Sequence, residues 1–333
     1  MVTNNPAQHH RQNSKCAIQP AIFFVLATLV LLLVNPTVTQ AQEPVKPVGS
    51  GEGTITLWFP VDSVDVPVTV TADYILEDDL PKGIKYPPHT VGQAFTMGVW
   101  QGEGTTVDRF SPSVVINVEY ADSNIIEMDR EQEDKLQLFM YEPVTKSWNR
   151  LCSSVDIYEN IVSAALTYPT PFEKNGSSLF AIALDQTPEL GQTVDGNGTT
   201  TLTLKGTDLR LKIARDELPP NSHFAVTMLP RSAGGRSVKL FSRPVDIKAC
   251  RIDYTDPTRG NRQINTFYRL PEVGFDYDAD TLSRAGGLQN LTIANLQNEK
   301  WVDVEEFGSR VRRGSQTISV PSWLLGTFGL TVR

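Results

Sequence analysis

The chain has little of what most catalytic chemistry is built from. Of 333 residues only three are cysteine and four are histidine, and Cys16, His9 and His10 stand in the N-terminal leader. That leaves Cys152, Cys250, His89 and His223 for the rest of the protein. The Gly-x-Ser-x-Gly, His-Glu-x-x-His and Cys-x-x-Cys patterns are all missing, so nucleophilic and zinc-hydrolase templates lack their signatures. Two cysteines cannot build a disulfide framework, and hydrophobic cores must hold the fold. Helical periodicity is scarce too. No strand–helix–strand unit can be read, which excludes dinucleotide and P-loop folds. Only Ile125–Lys135 could be helical; it is mostly acidic and reads as an exposed loop. A large basic excess is absent as well. From Gln42 to Asp185 nine basic residues face 22 acidic ones, a net −13, and from Gln186 onward 19 face 16, a net +3. Neither half suits nucleic acid.

What is present begins with an address. Arg11 and Lys15 lie in a polar, acid-free stretch, the apolar run Ala21–Val34 follows, Asn35-Pro36 breaks it, and Thr39-Gln40-Ala41 offers small residues to a peptidase. This is the three-part pattern of a secretory signal peptide over residues 1–41. The run is shorter than the about eighteen residues expected of a spanning helix. The rival reading is an uncleaved anchor, and only then would the chain touch a membrane. A Pro/Gly linker (42–52) follows. The expected location is secreted, periplasmic or cell surface. Such an oxidising address permits a disulfide between Cys152 and Cys250. That bond would have to cross a domain boundary, and two buried free thiols are the expectation.

The remainder is written in strands. TITLWF, VPVTVTADYI, AFTMGVW, SVVINVEY, KLQLFMY, IVSAALTY and LFAIAL alternate apolar and polar residues, with Pro/Gly turn signals between them. About seven short strands is the count of an immunoglobulin-like sandwich. The pattern also repeats. LQLFMYEPVTKSWNRL followed by IVSAALTY and SLFAIA is echoed by LTIANLQNEKWVDV, QTISV and TFGLTV, which aligns Trp148 with Trp301, Val162-Ser163-Ala164 with Ile318-Ser319-Val320, and Phe180 with Phe328. Upstream, Phe110–Tyr120 is echoed by Phe241–Tyr254. The expectation is all-β: two tandem antiparallel β-sandwich domains at 53–185 and 201–333, an interdomain linker at 186–200 with its hinge at Asp195–Gly198, and a long insert at 255–290 in the second.

The string FSPSVVINVEY…LQLFMYEPVTKSWNRL…IVSAALTYPTPF…LFAIAL resembles sandwich modules of large exported bacterial proteins. Its front half is similar to the membrane-proximal sandwich domains of netrin receptors and ankyrins. The resemblance covers nearly all of the first domain and, more loosely, the first and last thirds of the second. It implies a structural or interaction unit without a cofactor.

The function expected is therefore a non-enzymatic structural or protein-interaction module whose partners are other surface or secreted proteins. A second reading is glycan binding through exposed tryptophan, with Trp100 and Glu103 in the Trp100–Gly104 loop as the ligand-binding pair. Trp148 and Trp301 are expected as inter-sheet fillers. A third reading, a secreted hydrolase, would need two carboxylates converging in one cleft. Asp276, Asp278 and Asp280 alternate like the first half of a calcium loop. Position six is Thr281 and position twelve Gly287, which favours a solvated acidic turn over bound calcium.

Overall fold

The computed structural model describes residues 53–333 apart from 61, 65, 66, 103, 173–175, 197, 215, 216, 235–237, 298, 299 and 324. The expectations for the leader and the 42–52 linker lie outside the described residues. Within them the chain is all-β, with four antiparallel sheets and only short helices, none long and apolar enough to cross a membrane.

The first sheet runs in the order β1 (Ile55–Trp58), β5 (Val114–Glu119), β9 (Ile161–Leu166), β8 (Cys152–Asp156). The second runs β2 (Val68–Ile75), β3 (Thr90–Gln101), β10 (Ser178–Leu184), β6 (Leu136–Glu142), β7 (Ser147–Arg150), with β4 (Thr105–Thr106) beside β3. The third is β11 (Leu190–Val194), β12 (Thr199–Leu204), β13 (Leu209–Ala214), β17 (Glu272–Asp276), β21 (Thr317–Pro321), β20 (Arg312–Arg313). The fourth is β14 (Ser222–Met228), β15 (Val245–Arg251), β22 (Thr327–Val332), β18 (Leu291–Gln297), β19 (Lys300–Asp303), with β16 (Arg262–Ile264) beside β15.

Alternation along each strand decides which side chains meet. In β13, Leu209, Leu211 and Ile213 are buried while Arg210 and Lys212 face water. In β10, Phe180 and Ile182 enter one core, and Leu179 and Ala181 a smaller cluster on the opposite face. The first core draws Leu57 and Ile116 from the first sheet and Phe95, Leu138 and Phe180 from the second, with the Phe95 and Phe180 rings stacked at 5.3 Å. A separate core gathers Leu211, Val273, Ile293, Phe328 and their neighbours from the third and fourth sheets. Each such side chain contributes roughly 1.5–3 kcal/mol of burial.

Strands β13 to β22, taken in order, pair with one another as β1 to β10 do. Even the short β16 joins β15 as β4 joins β3. The β11–β12 hairpin is additional, laid on the free edge of β13.

This layout corrects several expectations. The Phe110–Tyr120 stretch holds β5 of the first sheet, whereas Phe241–Tyr254 holds β15 of the fourth. By pairing, β5 corresponds to β17 and β15 to β3. The proposed insert 255–290 is therefore no appendage, because it carries β17, which sits between β13 and β21 inside the third sheet. The presumed hinge Asp195–Gly198 is the turn between β11 and β12; the carbonyl of Asp195 accepts from the Gly198 N–H at 3.1 Å, and its side chain accepts from the Thr199 N–H at 2.8 Å. Within the acidic stretch read as loop, α1 (Arg130–Glu133) forms because Asp129 and Gln132 cap it reciprocally.

The tryptophans are displaced from their expected role as well. Trp148 faces Tyr141 across β6–β7, and Trp301 faces Leu296 across β18–β19. Both are half-buried. Trp148 packs in the outer cluster of the second sheet, outside the first core. Its indole N–H donates to the Lys85 carbonyl at 2.9 Å, and that of Trp301 to the Ala233 carbonyl at 3.1 Å. Lys85 lies between β2 and β3, and Ala233 between β14 and β15. Each tryptophan thus pins the same connection in its own sheet pair.

Candidate functional site: the seam between the sheet pairs

One face of the first sheet looks away from its core. It presents Asn117 on β5, Cys152 and Ser154 on β8, and Ser163 and Ala165 on β9, alternating with core residues such as Ile116, Val162 and Ala164. Onto it fold β15, β16 and the short helix α2 (Pro257–Gly260). Small side chains permit the approach: Ala165 and Ala225 flank Cys152 and Cys250 in one buried cluster. There the two cysteines form a disulfide, with Cα atoms 5.2 Å apart. This overturns the expectation of free thiols. The two cysteines occupy non-corresponding strands, β8 and β15, and so they can face each other across the seam.

Polar contacts surround the bond. The fully buried Asn261 amide donates to Ser154 Oγ at 2.6 Å and to the Ser163 carbonyl at 3.1 Å. Asn117 donates to the Thr258 carbonyl at 3.0 Å, and the Arg150 N–H to Thr227 Oγ1 at 2.9 Å. The Arg259 guanidinium sits 3.9 Å over the Trp58 ring, a cation–π contact.

Two clefts are lined by residues from both sides of the seam. The first, about 530 Å³, is lined by Asp134, Gln137, Arg150, Asp156, His223 and Tyr254 among others. Here Arg150 is a strut: its guanidinium reaches Asp185 at 2.6 Å and Gln137 at 3.2 Å. Burial lowers the Arg150 pKa, and the Asp185 carboxylate opposes that shift. Burial, followed by the Arg150 charge, holds the His223 imidazole down at about 4. The second cleft, about 440 Å³, lies between Glu142, Asn149 and the Leu166–Pro171 loop on one side and Asp246, Lys248, Gln263, Asn265, Gln297 and Thr327 on the other. Lys248 pairs with Asp246, which also accepts from Thr327 Oγ1 at 3.0 Å.

The residues singled out in sequence lie elsewhere. Trp100 is half-buried at the end of β3; a Cβ on Gly98 would collide with its ring, so the indole lies across that glycine. Glu103 is outside the described residues. The exposed indole is that of Trp323, at 71%. Asp276 pairs with Arg210 at 2.7 Å and accepts from Thr317 Oγ1 at 2.7 Å. Asp278 caps α3 (Ala279–Ala285) by accepting from the Thr281 N–H at 2.7 Å, which lowers its pKa. Asp280 meets Arg284 at 3.3 Å. The three carboxylates thus serve three separate local partners, and among the described residues no group of three or more His, Cys, Asp or Glu is placed to hold a metal ion.

Sequence reasoning missed Asn261, Arg259 and the second cleft, all on or beside the segment read as an insert. The signal that was available was the unequal placement of the two cysteines.

The fold and the seam together define an all-β chain of four antiparallel sheets in sandwich-like pairs, closed by one disulfide. No protein-family model matches the chain, and no curated protein does either.

Proposed function

We propose that the chain is an exported, non-enzymatic protein of two immunoglobulin-like sandwich lobes, related by duplication, that acts as a rigid scaffold for interaction with other surface or secreted proteins. The observation that carries this reading is the Cys152–Cys250 bond between the lobes. Disulfides persist in oxidising compartments and are rare in the cytosol. The bond therefore agrees with a cleaved leader at 1–41 and with a secreted, periplasmic or surface location. Ten strands pairing twice in the same order support duplication, with the β11–β12 hairpin a later addition. A covalently locked pair holds its loops at fixed spacing, which lowers the ordering entropy lost when a partner binds. Glycan binding through Trp100 has less support, since an indole laid on Gly98 offers less of its face to a sugar.

The test is to express the full chain with its own leader in a bacterial host and recover the exported fraction. The mature protein should begin at Gln42. Alkylation should find no free thiol before reduction and two after it. An unprocessed chain in the cytoplasm, with Cys152 and Cys250 reactive alongside Cys16, would refute the reading.

A further inference from the structure

The second cleft is built differently from an accidental gap. Its floor is polar yet buried: Asn149, Thr167, Asp246 and Thr327 are each at most 5% exposed. Its volume, about 440 Å³, falls in the range of about 300–1,000 Å³ typical of small-molecule sites. Along one wall stand the half-buried amides of Gln263, Asn265 and Gln297, and none of the three side chains bonds to another described residue. Their polar atoms still reach solvent, so each can exchange a bound water for a ligand hydroxyl. An amide offers both donors and an acceptor, which matches a sugar hydroxyl, itself donor and acceptor. At the rim Tyr168 keeps 41% of its surface exposed, with the Arg109 guanidinium 5.6 Å from its ring centroid over one face. Pro169 and Pro171 restrict the loop that carries it, so little freedom remains to be lost when an apolar ring face stacks there.

Charge narrows the class. Lys248 is occupied by Asp246, and Glu142 is balanced by Arg109 at the Tyr168 ring, so the cleft and its rim carry no net positive charge. Acidic chains find no excess of cations to hold them there.

From these features we infer that the cleft between β6–β7 and β15–β16 binds a neutral oligosaccharide, stacked on Tyr168 and hydrogen-bonded by Gln263, Asn265 and Gln297. This goes beyond the scaffold reading and uses a different place from Trp100. The scaffold reading is tested separately by processing and thiol state, and it survives if the cleft binds nothing.

The experiment uses the disulfide-intact mature chain in affinity electrophoresis through gels holding dextran, galactomannan, xyloglucan or a soluble β-glucan, with alginate as the acidic comparison. Calorimetry with a hexasaccharide of the retarding polymer follows. At least one neutral polymer should retard the protein and alginate should not. The paired substitution Gln263→Ala with Asn265→Ala, and separately Tyr168→Leu, should each weaken binding by about tenfold or more, which is roughly 1.4 kcal/mol. Trp100→Phe should leave it unchanged. These residues are partly exposed, and unchanged melting of each variant confirms that the fold is intact. Passage of the wild type without retardation by any neutral polymer overturns the proposal. So does retardation that survives both sets of substitutions, or that is lost with Trp100→Phe.

Discussion

At His223 burial and a neighbouring cation act in the same direction. Both disfavour the imidazolium, and the folded pKa stands at about 4. The unfolded chain takes up the proton near its ordinary value of about 6.5. Above that pH neither state is protonated and the group costs nothing. As pH falls toward about 4 the unfolded state binds a proton that the folded state refuses, and stability drops by at most about 1.4 kcal/mol per pH unit. Below about 4 both states are protonated and the slope ends. Asp134 and Asp156 line the same cleft, yet burial and the Arg150 charge set the direction of the shift. Urea unfolding of the wild type and of His223→Gln at pH 7 and pH 4.5 isolates the residue, because the carboxylates titrate in both. The wild type should lose about 2 kcal/mol more than the variant over that interval. Parallel losses would mean that the imidazole protonates inside the fold.

Among elements, β1, β2, β3 and β5 were each legible as strands, but the correspondence between the two series was readable only in the later half of each. Phe180 stands opposite Met140, and Phe328 opposite Asn295; in each case the next residue, Tyr141 or Leu296, faces the tryptophan. These are short hairpins closed on a third strand, and local pattern is enough to align them. The echo of FSPSVV by FSRPVD misled because it reflects only a local approach to an inner strand. The Phe110 N–H bonds to the Thr167 carbonyl at 2.7 Å, and the Phe241 N–H to the Leu330 carbonyl at 2.7 Å, yet the strands that follow belong to different sheets. Sheet membership depends on pairings far apart in sequence, which alternation does not encode. The same reason hid the seam. Asn261 meets Ser154 across 107 positions, and nothing near Asn261 announces it. The tryptophans offer a direct check on correspondence. Trp148→Phe and Trp301→Phe each remove one bond to a connecting-loop carbonyl and part of a ring, and each should cost about 1–3 kcal/mol in unfolding followed by circular dichroism. A substitution without effect at either position would mean that the two indoles do not brace their loops alike.

For the molecule as a whole, the disulfide links two hydrophobic cores that have no residue in common. Each core can hold its own sheets, so the bond acts less on folding within a pair than on the coupling between pairs. Apart from it, the seam rests on the Asn261 amide, the Asn117–Thr258 and Arg150–Thr227 bonds, and Arg259 over Trp58. Contacts of that kind contribute about 1 kcal/mol each. Closing a loop across 98 positions lowers the entropy of the unfolded chain by an amount worth about 4–5 kcal/mol in the chain-entropy model. The covalent term therefore rivals all the polar contacts together. Replacing both cysteines by serine should leave the far-ultraviolet circular dichroism intact, lower the calorimetric melting temperature, and split one transition into two as the pairs unfold independently. If the double variant instead melts in a single transition at the wild-type temperature, the uncharged and cation–π contacts of the seam suffice to couple the cores. The bond would then be a lock on a joint already closed.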